Sequence, residues 1–73
     1  MKNKYKIRTA SFESVSILCN ELHQTNKKIH KENIEKTVSV FLLQNGDKAF
    51  CEIYNQAIAD GKIKEVLSTL KLI

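Results

Sequence analysis

Between Asp47 and Gly61 the apolar residues Phe50, Ile53, Tyr54, Ala57 and Ile58 stand at i, i+3, i+4, i+7 and i+8. A helix gathers those positions on one face, whereas a strand needs a period of two. This segment limits what the residues before it can do. Asn45-Gly46 is a strong hairpin signal, and Thr37-Val38-Ser39-Val40-Phe41 has β propensity. A hairpin needs a second strand after its turn, and the helical segment supplies none. The sequence therefore predicts helix on both sides of Gly46. Gly46 is the expected left-handed residue after one helix, and Asp47 is a good N-cap for the next.

The same spacing recurs along the chain. Phe12, Val15, Leu18, Cys19 and Leu22 predict a helix over about 12–24, with Glu13, Asn20 and Gln24 off the stripe. Ser11 can cap it and Glu13 favours its first turn. The polar run Thr25-Asn26-Lys27-Lys28 ends it, and Ile29 is the expected anchor of the turn. A second helix starts near Lys31 with Ile34, Val38, Phe41 and Leu42 as its stripe. Gly61 stops the third, and Ile63, Val66, Leu67 and Leu70 give a fourth. No internal repeat, linker or low-complexity tract interrupts the chain.

Ahead of these stripes lies Lys4-Tyr5-Lys6-Ile7-Arg8-Thr9, basic at even positions and apolar or β-branched at odd ones. As a strand it puts three cations on one face and Tyr5, Ile7 and Thr9 on the other. Residues 1–8 also hold Lys2 and no acid, and the remaining residues are charge-balanced, so the arm carries the whole formal net charge of +4. The expected fold class is mainly α: a short N-terminal β-strand followed by about four short helices. One domain over 1–73 divides into a basic arm (1–9) and a helical body (11–73).

A chain of 73 residues buries only about 60% of its unfolded surface, so its core is marginal. Self-association is the expected supplement, because no other staple is apparent. The two cysteines, with no leader-like apolar run or lipoprotein box behind the basic start, predict reduced thiols and a cytoplasmic location. The longest apolar runs are too short for a membrane span. Proline is absent and only two glycines occur, which argues against disorder.

Cys19 and His23 stand at i, i+4, a genuine ligand spacing, with His30 and Cys51 as further donors. Neither a C-x-x-C nor an H-x-x-x-H pair accompanies them, and Cys19 lies on the apolar stripe, so no metal and no cofactor is expected. Neither cysteine sits in a nucleophile motif, and two isolated glycines make no phosphate cradle. The expectation is a non-enzyme.

The stretch KIRTASFESVSILCNEL, Lys6 to Leu22, resembles the opening strand and helix of the GNAT acetyltransferases. That family's glycine-rich pyrophosphate loop has no counterpart, so the resemblance implies strand then helix and no activity. Over about 4–45 the order Lys4–Thr9, Phe12–Gln24, Thr25–His30 and Lys31–Asn45 resembles the ribbon-helix-helix family of DNA-binding proteins. This resemblance implies a homodimer whose paired strands enter the major groove. Lys4, Lys6 and Arg8 would face DNA. Tyr5 and Ile7 would join a dimer core with Ile34, Val38 and Phe41. The start of the second helix would hold a backbone phosphate near His30 and Lys31, with Lys27 and Lys28 close by. The turn lacks the family's usual small-residue signature, and the chain adds a C-terminal helical extension.

Ala57, Gly61, Leu67 and Leu70 also resemble positions of a helix-turn-helix, which implies DNA contacts from Lys62, Lys64, Ser68 and Lys71. Gln56, Asp60 and Lys62 depart from that motif. The expected function is a small protein binding duplex DNA as a homodimer, as a repressor, antitoxin or plasmid or phage accessory factor in transcription regulation. The alternative is a helical protein-interaction module, such as an inhibitor, immunity protein or adaptor, docking through its charge-balanced body.

Overall fold

Among the described residues, three α-helices and one π-helical turn build the fold: α1 (Phe12–Thr25), α2 (Lys31–Tyr54), the π-helical turn (Asn55–Ala59) and α3 (Ile63–Thr69). The computed structural model describes residues 6–73. Helix α1 starts where Ser11 leaves an extended backbone and closes a reciprocal cap. The Ser14 amide donates to Ser11 Oγ at 3.1 Å, and the Ser11 amide donates to Ser14 Oγ at 2.8 Å. A serine thus fills the role that glutamate or glutamine usually takes at the third helical position.

The turn between α1 and α2 is pinned by its own groups. Asn26 Oδ1 accepts from the Lys28 amide at 3.3 Å, and the Ile29 amide donates to the Asn26 carbonyl at 3.2 Å. Ile29 packs against the core, as an anchor should. Chain reversal lets α1 lie chiefly against α2.

Helix α2 bends at Gly46, whose φ of 89° and ψ of 172° are not helical. A positive φ was expected there, but this ψ is the extended mirror-image region, a conformation essentially reserved for glycine. The helical segments on either side therefore meet end to end across a kink. Beyond Tyr54 the helix widens into the π-helical turn, where the Asp60 amide reaches back to the Asn55 carbonyl at 2.9 Å. Gly61, at φ 72°, then turns the chain. The Lys62 amide closes onto the Gln56 carbonyl at 2.9 Å. That closure is one residue wider than the ordinary end of an α-helix, as a π turn requires.

Helix α3 ends in a Schellman motif. The Leu72 amide donates to the Leu67 carbonyl and the Lys71 amide to the Ser68 carbonyl, both at 2.9 Å. Lys71 occupies the left-handed position at φ 60°, where glycine is usual. Leu72 then packs on the core, the hydrophobic contact that accompanies this ending.

The four apolar stripes converge. Leu18, Cys19 and Leu22 of α1 meet Ile34, Val38, Phe50, Cys51, Ile53 and Tyr54 of α2, closed by Ala57, Val66, Leu67 and Leu70. The rings of Phe50 and Tyr54 lie 6.2 Å apart and tilted, a favourable aromatic arrangement. Phe50, Leu18, Leu22 and Ile34 are fully buried. Each such side chain contributes about 1.5–3 kcal/mol by burial, and Phe50→Ala should cost about 3–5 kcal/mol.

The expected N-terminal strand is corrected. Lys4 and Tyr5 lie outside the described residues, and residues 6–9 are irregular, with no strand among the described residues. A strand satisfies its backbone through a ladder, and an all-helical body offers no edge to pair with. Ile7 uses a side chain instead. Its amide donates to Asn55 Oδ1 at 2.7 Å, and its carbonyl accepts from Asn55 Nδ2 at 3.1 Å. The ribbon-helix-helix-like architecture, and the GNAT-like opening, lose their first element with it. The expected four helices become three because the second and third join through the kink at Gly46.

Candidate functional site

The residues singled out for DNA contact by the ribbon-helix-helix resemblance fall into two groups. Lys6 and Arg8 are exposed beside the π-helical turn, where Ile7 is held by Asn55. The Lys6 ammonium lies 4.0 Å from the Asp60 carboxylate, with both side chains largely in solvent, so the pair contributes little. Lys27, Lys28 and Lys31 are exposed at the turn and at the start of α2. His30 precedes that helix without a side-chain cap. Lys4 lies outside the described residues.

The residues singled out for a dimer core behave differently. Ile34 and Val38 have no exposed surface and belong to the single chain's own core. Ile7 and Phe41 are half-buried and pack against it, and Tyr5 is outside the described residues. The helix-turn-helix positions are partly realised: Ala57, Leu67 and Leu70 are buried and Gly61 sits in the turn at positive φ. Helix α3, with only 7 residues, is about 10 Å long.

The thiols and imidazoles are engaged separately. Cys19 is buried, and its pKa is pushed up to about 11, first by burial and then by the Glu35 carboxylate, against the opposing Lys31. Burial also raises Cys51, with a smaller push from Asp47. A thiol held protonated is a poor nucleophile and a poor metal ligand. His23 Nδ1 lies 3.2 Å from the Ile29 carbonyl. A carbonyl oxygen only accepts, so Nδ1 carries the hydrogen and the ring helps hold the turn. Among the described residues no group of three or more His, Cys, Asp or Glu could hold a metal ion.

The surface is distinguished by apolar side chains that the core leaves out. Phe12 is 88% exposed at the start of α1 and Leu43 is 84% exposed on α2. Ile17, Val40 and Ile73 are also exposed. Among the described residues, grooves lie on both sides of α2. One, of about 340 Å³, lies between α1 and α2 and is lined by Phe12, Val15, Ser16, Cys19, Glu35 and Ser39. The other, of about 360 Å³, lies between α2 and the C-terminal turn, with Val40, Phe41 and Leu70 as apolar lining.

The helical stripes predicted the core, but three features carried no sequence signal. The Asn55 clamp joins residues 48 positions apart, and neither the π widening nor the left-handed lysine has a marker residue. Phe12 was assigned to the core stripe by spacing alone. It lies outside the core, 88% exposed at the first residue of α1. No helix among the described residues is long and apolar enough to cross a membrane. No family model, curated protein or solved structure matches the chain.

Proposed function

We propose that the chain is a small helical protein-interaction module. The supporting observation is the pair of large side chains, Phe12 and Leu43, held almost wholly in solvent on α1 and α2, the two helices that supply most of the core. Singly exposed apolar residues are ordinary, but Phe12, which lines an open groove, and Leu43 fit anchors for a protein partner. Charge supports the same reading: acids and bases balance after residue 8, which suits a protein surface better than a polyanion. The partner class includes a second copy of the chain.

The test compares wild type with a Phe12→Ser, Leu43→Ser double variant. Both should melt at the same temperature, because neither side chain is buried. Crosslinking and sedimentation should show partner or self-association in the wild type only. Duplex DNA serves as the competitor. Should wild type bind it with affinity that falls steeply with salt, while the double variant keeps every protein contact, DNA binding is the better reading. Glutamine replacements then separate Lys6 and Arg8 from Lys62, Lys64 and Lys71.

A further inference from the structure

The groove between α2 and the C-terminal turn has a chemistry of its own. Its α2 wall is Lys36, Thr37, Val40, Phe41 and Gln44, and its other wall is Thr69, Leu70 and Lys71. Lys36, Val40 and Gln44 stand four residues apart, so they line one stripe of the helix. The lining therefore places three apolar groups between two lysines, and none of its residues is acidic. The groove on the other side of α2 has Glu35 in its wall and no cation.

Lys71 adds a second observation. It adopts φ 60°, a left-handed conformation that disfavours any residue with a side chain. Glycine would close the same Schellman turn without that penalty. Strain held in place at the lip of a groove points to use of the side chain there.

We propose that this groove receives a short segment of a partner protein in which apolar side chains are flanked by carboxylates. The proposal rests on the protein-interaction reading and names the chemistry of the partner. Val40, Phe41 and Leu70 take the apolar side chains, and Lys36 and Lys71 face the carboxylates from either wall. A phosphate backbone could use the two lysines, but it would leave the apolar lining without a partner.

The probe is a short synthetic helical peptide with leucine at i and i+4 between glutamates. Two companions replace the glutamates with glutamine or with lysine. Each is titrated into the isotopically labelled full-length chain, and amide shifts are followed by NMR. Shifts should centre on Val40, Phe41, Gln44 and Leu70, with affinity falling from glutamate to glutamine to lysine. Lys36→Gln should weaken the glutamate peptide by up to about fivefold. The decisive variant is Lys71→Gly, which should raise the melting temperature and weaken the same peptide.

Equal affinity for the glutamate and glutamine peptides overturns the proposal, and so does Lys71→Gly that stabilises without weakening binding. Shifts centred on Phe12 and Ser39 overturn this groove but leave the interaction reading standing. No shift with any peptide at millimolar concentration overturns the groove proposal. If short duplex DNA then shifts the lysines with strong salt dependence, the interaction reading falls with it.

Discussion

The side-chain amide of Asn55 makes both backbone hydrogen bonds of Ile7, accepting from its amide at 2.7 Å and donating to its carbonyl at 3.1 Å. One residue of the arm is thereby paired as if a strand lay beside it, although the partner is a side chain on the π-helical turn. Ile7 and Ala10 pack against the core while Lys6, Arg8 and Thr9 stay exposed. The groups that a β-ribbon would need at Ile7 are already used within the chain. An intermolecular strand pairing at this residue has to break two hydrogen bonds first.

Asn55→Ala should therefore free the arm and leave the body folded. Two neutral hydrogen bonds of this kind contribute about 1–3 kcal/mol together. Hydrogen exchange at the Ile7 amide should accelerate while the amides of Leu18 and Leu22 stay protected. Asn55→Asp is the sharper variant, because it keeps the acceptor for the Ile7 amide and loses the donor to its carbonyl. It should fall between wild type and alanine. If Ile7 exchanges equally fast in wild type and Asn55→Ala, the clamp does not hold the arm.

How much of this was legible in the residues follows from where the information lies. Spacing of apolar groups is local, and it located α1, the start of α2 and the turn anchored by Ile29, while the glycine signals marked a positive φ at Gly46 and a helix stop at Gly61. Alternation in the arm placed Thr9 with Ile7 on the inward face, yet Thr9 is exposed with Lys6 and Arg8 and only Ile7 is half-buried. It failed on secondary structure because alternation describes faces, whereas a strand also needs a ladder, and no local pattern can say whether one is available. Asn55 was invisible for the same reason: its partner is 48 residues away. The candidate site was less legible still. Lys36, Val40 and Lys71 meet only after the C-terminal turn has folded back on α2.

Both thiols should resist modification at neutral pH. Burial keeps Cys19 and Cys51 protonated, so labelling by a neutral-pH alkylating reagent should require unfolding. The linkage has a definite sign. The folded-state pKa of Cys19 is about 11 against an ordinary 9.0, so the folded chain retains a proton that the unfolded chain releases. That contribution to stability is complete below pH 9.0 and is lost as pH rises toward about 11. Denaturant midpoints measured across this range should fall for wild type and fall less for Cys19→Ala, whatever alanine costs by packing. Parallel slopes in the two proteins would remove Cys19 as the cause.

The imidazole of His23 should matter for the turn and not for a metal. Nδ1 faces the Ile29 carbonyl at 3.2 Å and ties the end of α1 to the turn. His23→Ala should increase exchange at the Ile29 and Lys28 amides and lower stability by about 0.5–1.5 kcal/mol. Added zinc or a chelator should leave the melting temperature of wild type unchanged. A drop of several degrees with chelator would show that the ring serves a metal.

Gly46, Gly61 and Lys71 form a matched set in which backbone strain is isolated from packing. A Cβ built on either glycine meets nothing within 4 Å, so an alanine there suffers no clash. What remains is the backbone: φ 89° at Gly46 and φ 72° at Gly61, both unfavourable to L side chains. Gly46→Ala should cost about 1–3 kcal/mol, since its φ and ψ together lie in a region essentially limited to glycine. Gly61→Ala should cost about 1–2 kcal/mol. Lys71→Gly runs the change in reverse and should gain about 1 kcal/mol, less the greater freedom of glycine in the unfolded chain. In a domain of this size each kcal/mol moves the melting temperature by about 4–8 °C. A chemically synthesised chain with D-alanine at position 46 completes the set, because positive φ suits a D residue and the space around it is open. It should melt at or above wild type. If D-alanine destabilises as much as L-alanine, the loss comes from filling space or from altered bending of α2, and the backbone account of the kink is wrong.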